Sequence, residues 1–299
     1  MRYALAVQDP LPFEDLAEIP TSSPWCQRWR GRRHSWRHRS EGGFDHRHYE
    51  VEPLEERLAK SFVLEHHYSS AFPVARFRYA LVDTRFDGER RLCGVAVFGI
   101  PVSKSVLTLP LPDLEPYVSS LECSRFVLTD DCPANAESWF LARCFDELLV
   151  QGVYGIVTFA DPVPRRDASG SLIAVGHVGT IYQATNAAYL GRATPRTLKL
   201  LPDGTVLNDR AAQKVRSQER GHEYVEAALI ALGAPVPRAG GDPSAWLRDA
   251  QVAVGVRNVR HRGAHRYVYR LGRTRRERER IRLGLPSLRP YPKRPDFEG

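Results

Sequence analysis

Glu122-Cys123-Ser124-Arg125-Phe126-Val127-Leu128 opens the stretch that decides the fold. Its branched and aromatic residues predict a strand over 119–128. Turn residues follow at Thr129-Asp130-Asp131-Cys132-Pro133, a loop that feeds a helix start at Asn135. Over 135–150, Phe140, Leu141, Cys144, Leu148 and Leu149 make one apolar helical stripe. The run 155–160 reads as a buried strand of the parallel kind, and it ends at Asp161. Gly176-His177-Val178-Gly179-Thr180-Ile181-Tyr182 enters another helix, and Pro202-Asp203-Gly204 marks a hairpin turn. Strand, helix, strand, helix and hairpin in this order predict an α/β domain.

Upstream of this stretch, Leu54, Leu58, Phe62 and Val63 fit an amphipathic helix over 51–66 that runs into Tyr68-Ser69-Ser70. Strands are expected over 76–82 and 91–100, joined by a turn at Asp87-Gly88, with a shorter strand over 106–111. The main domain is thus expected over 51–275, with a helical insertion at about 210–258. Basic extensions flank it at 1–50 and, rich in proline, at 276–299.

A chain of 299 residues can bury one sizeable core, and 42% hydrophobic with 26% charged residues is ordinary for a globular protein. The net charge of +8 predicts a field that attracts polyanions, of which nucleic acid is the commonest. Five cysteines without a CxxC pair argue against a disulfide framework or zinc knuckle and fit a reducing cytoplasm. No apolar run approaches the roughly 20 residues that span a bilayer, so no membrane partner is expected.

The charge is clustered. Trp29 and Trp36 lie among Arg28, Arg30, Arg32, Arg33 and Arg37, in a segment too poor in aliphatic residues to build its own core. It reads as an extended or partly disordered arm whose guanidinium forks pair with phosphates while indoles stack on bases. The other reading is a tail whose tryptophans pack on the domain. A second basic block holds Arg260, Arg262, His265 and Arg266 as further nucleic-acid contacts. The run over 273–280 is diluted by Glu277 and Glu279 and reads in part as a solvated helix. At the helix start, the amides of Asn135, Ala136 and Glu137 are placed to receive an anion, whereas Asp130 and Asp131 would repel it. Asn135 and Ser138 equally suit plain helix capping.

Several words, in a shared order, carry a resemblance that covers about 51–293. They are His66-His67-Tyr68-Ser69, Glu122-Cys123-Ser124-Arg125, Asn135-Ala136-Glu137-Ser138, Phe159-Ala160-Asp161 with Gly176-His177 through Gly179 to Tyr182-Gln183-Ala184, His265 to Gly272, and Tyr291-Pro292-Lys293. Together they resemble the Mom family of phage DNA-modification proteins, a branch of the GNAT acyltransferase-like superfamily. The segment 163–175 departs from that pattern as an insertion, and residues before 50 have no counterpart in it.

The resemblance implies a GNAT-like mixed sheet flanked by helices and a transferase that converts adenine in double-stranded DNA to N6-carbamoylmethyladenine. It also implies a phage protein that works in the host cytoplasm and protects DNA from restriction. The target amine is paired in the duplex, so the base must leave the stack. Asp161 would accept a proton from that amine, Tyr182 would act as general acid, and Arg125 would hold an anionic cosubstrate or orient Asp161. Tyr68 joins them from the His-Tyr-Ser word. The resemblance also links His67, Tyr68 and Asp161 to iron, and the loop over 125–135 to an acyl-coenzyme A pyrophosphate. That loop lacks the Arg/Gln-x-x-Gly-x-Gly/Ala pattern usual in GNAT enzymes. The group donor is not legible in the chain; acetyl-CoA or another cosubstrate is a candidate. Two other functions stay open: an acyl-CoA-dependent N-acetyltransferase acting on a modified base, RNA or protein amine, and a non-catalytic DNA-binding protein.

Overall fold

The computed structural model describes residues 25–67, 71–86 and 88–293. They form two compact units, one of which takes in the described residues up to 162 together with 177–193 and 264–293. In chain order the first unit contains β1 (Trp25–Arg30), β2 (Arg33–His38), β3 (Tyr49–Pro53), α1 (Glu56–His66), β4 (Ala75–Phe86), β5 (Glu89–Gly99), α2 (Ser105–Thr108), β6 (Ser120–Leu128), α3 (Ala136–Val150) and β7 (Gly155–Ala160). The second unit comprises 163–176 and 194–263, with β8 (Arg165–Arg166) and β9 (Leu172–Ala174) in its first segment. The chain then returns to the first unit for α4 (Thr180–Ala184) and β10 (Ala188–Arg192). It re-enters the second unit for β11 (Arg196–Leu200), α5 (Asp209–Arg216), α6 (Glu223–Ala231), α7 (Pro243–Ala253) and β12 (Arg257–His261). The first unit closes with β13 (His265–Arg270) and α8 (Arg275–Arg280).

A seven-stranded mixed sheet, in the order β10-β13-β7-β6-β5-β4-β3, organises the first unit. Only β6 and β7 run parallel, and α3 is the crossover that parallel neighbours require. The apolar stripe of α3 buries Phe140, Leu141, Cys144 and Leu148 against Leu121, Ile156, Tyr267 and Tyr269 on one face. On the other, Phe62 and Val63 of α1 meet Val82, Val95 and Val127, while Leu107 and Leu111 meet Val157 and Val268. The expected α/β fold is present.

Several local expectations change. Val51 lies in the edge strand β3 rather than in the first helix, because Pro53 cannot continue a helix and α1 starts only at Glu56. Of the segment expected as a strand over 106–111, residues 106–108 lie in the short helix α2, and Leu111, after the following turn, donates its backbone N–H to the Leu107 carbonyl at 3.0 Å, one helical turn away. Pro202-Asp203-Gly204 does form a turn, closed by an antiparallel bridge between Leu200 and Val206, while the regular strand partner of β11 is β12, some 60 residues later in the chain. The arm expected to be extended or partly disordered is, over 25–38, an antiparallel hairpin. Gly31 and Arg32 both have positive φ there, 50° and 65°, as a two-residue hairpin turn demands.

The second unit explains two irregularities of the sequence at once. The departure over 163–175 and the helical stretch over 210–258 belong to one body, with Leu201, Leu207, Val215, Leu229, Leu247 and Val254 as its core. Among the described residues no helix is long and apolar enough to cross a membrane.

Candidate functional site

Strands β6 and β7 are paired over 120–123 and 155–158, and Thr158 Oγ1 closes the register with a 3.2 Å bond to the Cys123 carbonyl. Beyond that point β6 continues beside β5 to Leu128, whereas β7 continues beside β13 to Ala160. The two strands therefore part, helped by a bulge that skips Ser124 in the β5–β6 register. Asp161 follows directly on the β7 side of the gap, at the carboxyl end of a central strand, where open α/β sheets collect functional groups.

Around Asp161 the end of the sheet brings together groups far apart in sequence. His177 donates its backbone N–H to the Asp161 carbonyl at 2.7 Å. His265 begins β13 opposite Ala160, and its Nδ1 lies 2.9 Å from the Tyr189 hydroxyl. Burial, reinforced by the Arg192 and His177 charges and opposed by Asp161, lowers the His265 pKa to about 4. That imidazole is neutral at physiological pH, and when Tyr189 donates to Nδ1 the ring proton sits on Nε2. At 4% exposure it is a buried side chain rather than the nucleic-acid contact expected from its basic neighbourhood. Arg266 is likewise withdrawn: it is half-buried over the Phe159 ring, and desolvation lowers its pKa.

Tyr182 lies on α4, packed 5.5 Å from the ring of Tyr267 and 6.5 Å from that of Tyr269. Its approach depends on Gly179, at φ 79°, where an added Cβ would fall 2.8 Å from Tyr182 Cδ2 and 2.7 Å from Tyr267 Cε2. Gln183 fastens the helix, donating to the Val178 carbonyl at 3.0 Å, the Tyr267 hydroxyl at 2.9 Å and the Pro292 carbonyl at 3.0 Å. The proline-rich tail is thereby tied to the sheet end, with the Tyr291 hydroxyl bonded to the Ala187 carbonyl at 2.8 Å.

Arg125 gives two bonds to the Ala71 carbonyl, at 2.8 and 3.2 Å, and one to that of Ser124 at 2.6 Å. It ties the chain just after the His-Tyr-Ser word to β6. Tyr68 itself, like Asp87, lies outside the described residues. His67 caps the end of α1, its ring 5.9 Å from that of Trp29. Among the described residues no three His, Cys, Asp or Glu side chains converge as a metal site, and the expected set of His67, Tyr68 and Asp161 includes Tyr68, which lies outside those residues. The sequence assigned Glu122 no role beyond its place in the Glu122-Cys123-Ser124-Arg125 word. Its burial raises its pKa against the opposing Arg125 charge, which makes it a carboxyl of altered basicity on the strand that borders the gap.

The start of α3 is not an open anion cradle. Arg28 of the hairpin is fully buried there, ion-paired with Glu137 and bonded to the carbonyls of Cys132 at 3.1 Å and Pro133 at 2.6 Å. Arg30 reaches Asp131 at 2.7 Å and Asp130 at 3.3 Å, Ser35 bonds the Asp130 carboxylate, and Arg37 donates to the Asp130 carbonyl at 2.6 Å. The loop thus offers acceptors to cations of its own chain. Asn135, at φ 73°, makes no side-chain cap, and Ala136 and Glu137 are buried. A pyrophosphate does not fit this arrangement, because it would have to displace a buried guanidinium and face three carboxylates. The carboxylates that were expected to repel an anion are there, each facing an arginine of the hairpin. Arg32 donates to the Leu64 carbonyl at 3.0 Å, Trp36 is half-buried, and Arg33, Arg260 and Arg262 are exposed.

The model of the Mom protein family matches residues 48–293. Among curated proteins none matches the chain. Of solved structures, a protein assigned as a phosphinothricin N-acetyltransferase is 11% identical, with 50% of this chain and 86% of that one covered at a TM-score of 0.28. A malonyl-CoA decarboxylase from Rhodopseudomonas palustris is 13% identical, covering 79% and 59% at 0.33. A tandem GNAT protein from clavulanic acid biosynthesis is 12% identical, covering 76% and 75% at 0.31. At such scores the fold description rests on the sheet itself.

Proposed function

Since the chain belongs to the Mom protein family, a family of phage DNA-modification proteins, we propose that it converts adenine in double-stranded DNA to N6-carbamoylmethyladenine and so shields phage DNA from host restriction. The observation that carries this reading is Asp161 at the parting of β6 and β7, beside His177 and the neutral His265, all within the matched span.

Adenine N6 is a poor nucleophile because its lone pair is delocalised into the ring. An enzyme must orient it and take up its proton as the new bond forms. In this reading Asp161 accepts a hydrogen bond from the exocyclic amine and then its proton. His265, held by Tyr189, orients the reacting groups through Nε2–H, and Tyr182 supplies a proton to the leaving group. Arg125 acts by holding the chain at Ala71 against β6. The base is presented out of the stack, since the amine is otherwise paired. Plain acyl transfer from acetyl-CoA would yield an amide, whereas the proposed product has an N–CH2 linkage. No step is therefore drawn through coenzyme A, in keeping with the filled loop at α3.

Mass spectrometry of nucleosides from cells that express the chain tests the reaction. A carbamoylmethyladenine peak is expected. An acetylated base or amine would favour an acetyltransferase, and unmodified DNA a binding protein without chemistry.

A further inference from the structure

The positive charge of this chain is concentrated in the second unit. Over 163–176 and 194–263 it carries 13 Lys and Arg against 8 Asp and Glu, a net +5 of the chain's +8. Within that unit β11 and β12 form a two-stranded antiparallel ribbon, with Val206 bridged to Leu200 at the end of β11. Its register sets Leu198 opposite Val259 and Arg196 opposite His261, and Leu198, Leu200 and His261 are buried. Side chains alternate across a strand, so the opposite face presents Thr197 beside Arg260 and Lys199 beside Asn258. Thr197, Asn258 and Arg260 are exposed, as are the flanking Arg196 and Arg262.

These cations have no internal employment. Among the described residues Arg196, Lys199, Arg260 and Arg262 make no side-chain ion pair or hydrogen bond, although Arg257 on the buried face donates to the Arg166 carbonyl. We propose that the β11–β12 ribbon is the duplex-DNA contact of this protein, with Thr197, Lys199, Asn258 and Arg260 turned to the major groove and Arg196 and Arg262 on the bordering phosphates. The B-form major groove, about 12 Å wide, admits a two-stranded ribbon. The side chains suit it chemically: Arg and Lys pair with guanine and Asn with adenine, and Thr meets the thymine methyl. A-form RNA offers no such entry, because its major groove is deep and narrow.

This inference rests on DNA being the substrate. Its test is fluorescence anisotropy of the full chain with a 20-base-pair duplex over a salt series. Changing Arg196, Lys199, Arg260 and Arg262 together to Ala should weaken binding at least tenfold. It should also flatten the slope of log K against log salt by about two or more, at about 0.9 per lost phosphate contact. Arg260→Glu, a single change at an exposed position, should act in the same direction, and it keeps the test valid if the fourfold variant misfolds. Duplex RNA of the same sequence should bind more weakly than DNA. Wild-type slope and affinity in both variants would overturn the ribbon alone, as would equal affinity for RNA. Failure of the unaltered chain to bind duplex DNA at all would overturn the ribbon and the functional reading together.

Discussion

Two arginine-rich ribbons in this molecule have opposite fates. In β1–β2, Arg28, Arg30 and Arg37 point at the acidic loop before α3 and are used up on Glu137, Asp130, Asp131 and backbone carbonyls. In β11–β12, Arg260 and its neighbours Arg196 and Arg262 are exposed and meet no carboxylate among the described residues. Composition does not separate the two. What separates them is an acidic partner 109 positions away, at Glu137, which only the fold brings to Arg28. A basic run therefore signals an external polyanion only after internal carboxylates have been accounted for.

The comparison breaks first at Arg28. A buried ion pair that loses one member leaves an uncompensated charge, so Arg28→Ala should cost about 3–5 kcal/mol in urea unfolding. A loss below about 1 kcal/mol would mean that the hairpin is not integral to the first unit. The next test asks whether His265 belongs with the inward groups. Its folded pKa of about 4 lies below the ordinary 6.5, so the unfolded chain binds the extra proton between those values. Stability should then be full above about pH 6.5 and fall as the pH drops towards 4, by about 1.4 kcal/mol per pKa unit. His265→Gln should remove that part of the acid sensitivity, and an unchanged profile would return His265 to the surface.

A third test probes the filled loop with a ligand. Acetyl-CoA should bind no more tightly than the high micromolar range in calorimetry at low salt, roughly −5 kcal/mol or weaker. Tight stoichiometric binding would show that the hairpin yields to a pyrophosphate and would promote the acetyltransferase reading. The smallest effect is expected at Arg30, a partly exposed pair. Arg30→Ala should cost about 1 kcal/mol or less and leave the salt slope of DNA binding unchanged. A flatter slope would make the hairpin a second DNA contact.

The apolar patterns made the centre of the fold readable, since α3, β6 and β7 have stripes or runs with a single periodicity. Periodicity misled where one residue outweighed it, as at Pro53, or where a short run suits either element, as around Leu107 and Leu111. The second unit was legible only in pieces because its two segments are separated by α4 and β10. The position of Asp161 at the end of β7 was legible from the apolar run before it. The contact of His265 with Tyr189 was not, because it joins residues 76 apart and the local sequence of His265 is indistinguishable from a basic surface. The Gly31-Arg32 turn was a missed local signal, hidden among arginines that suggested an unpaired arm.

Asp161 carries the proposed chemistry most directly. Nucleosides from cells expressing wild-type protein and Asp161→Ala at equal folded levels, compared by liquid chromatography and mass spectrometry, should show N6-carbamoylmethyladenine in the first and none in the second. Wild-type amounts of the modified base from the Asp161→Ala protein, or unmodified DNA from both, would contradict it.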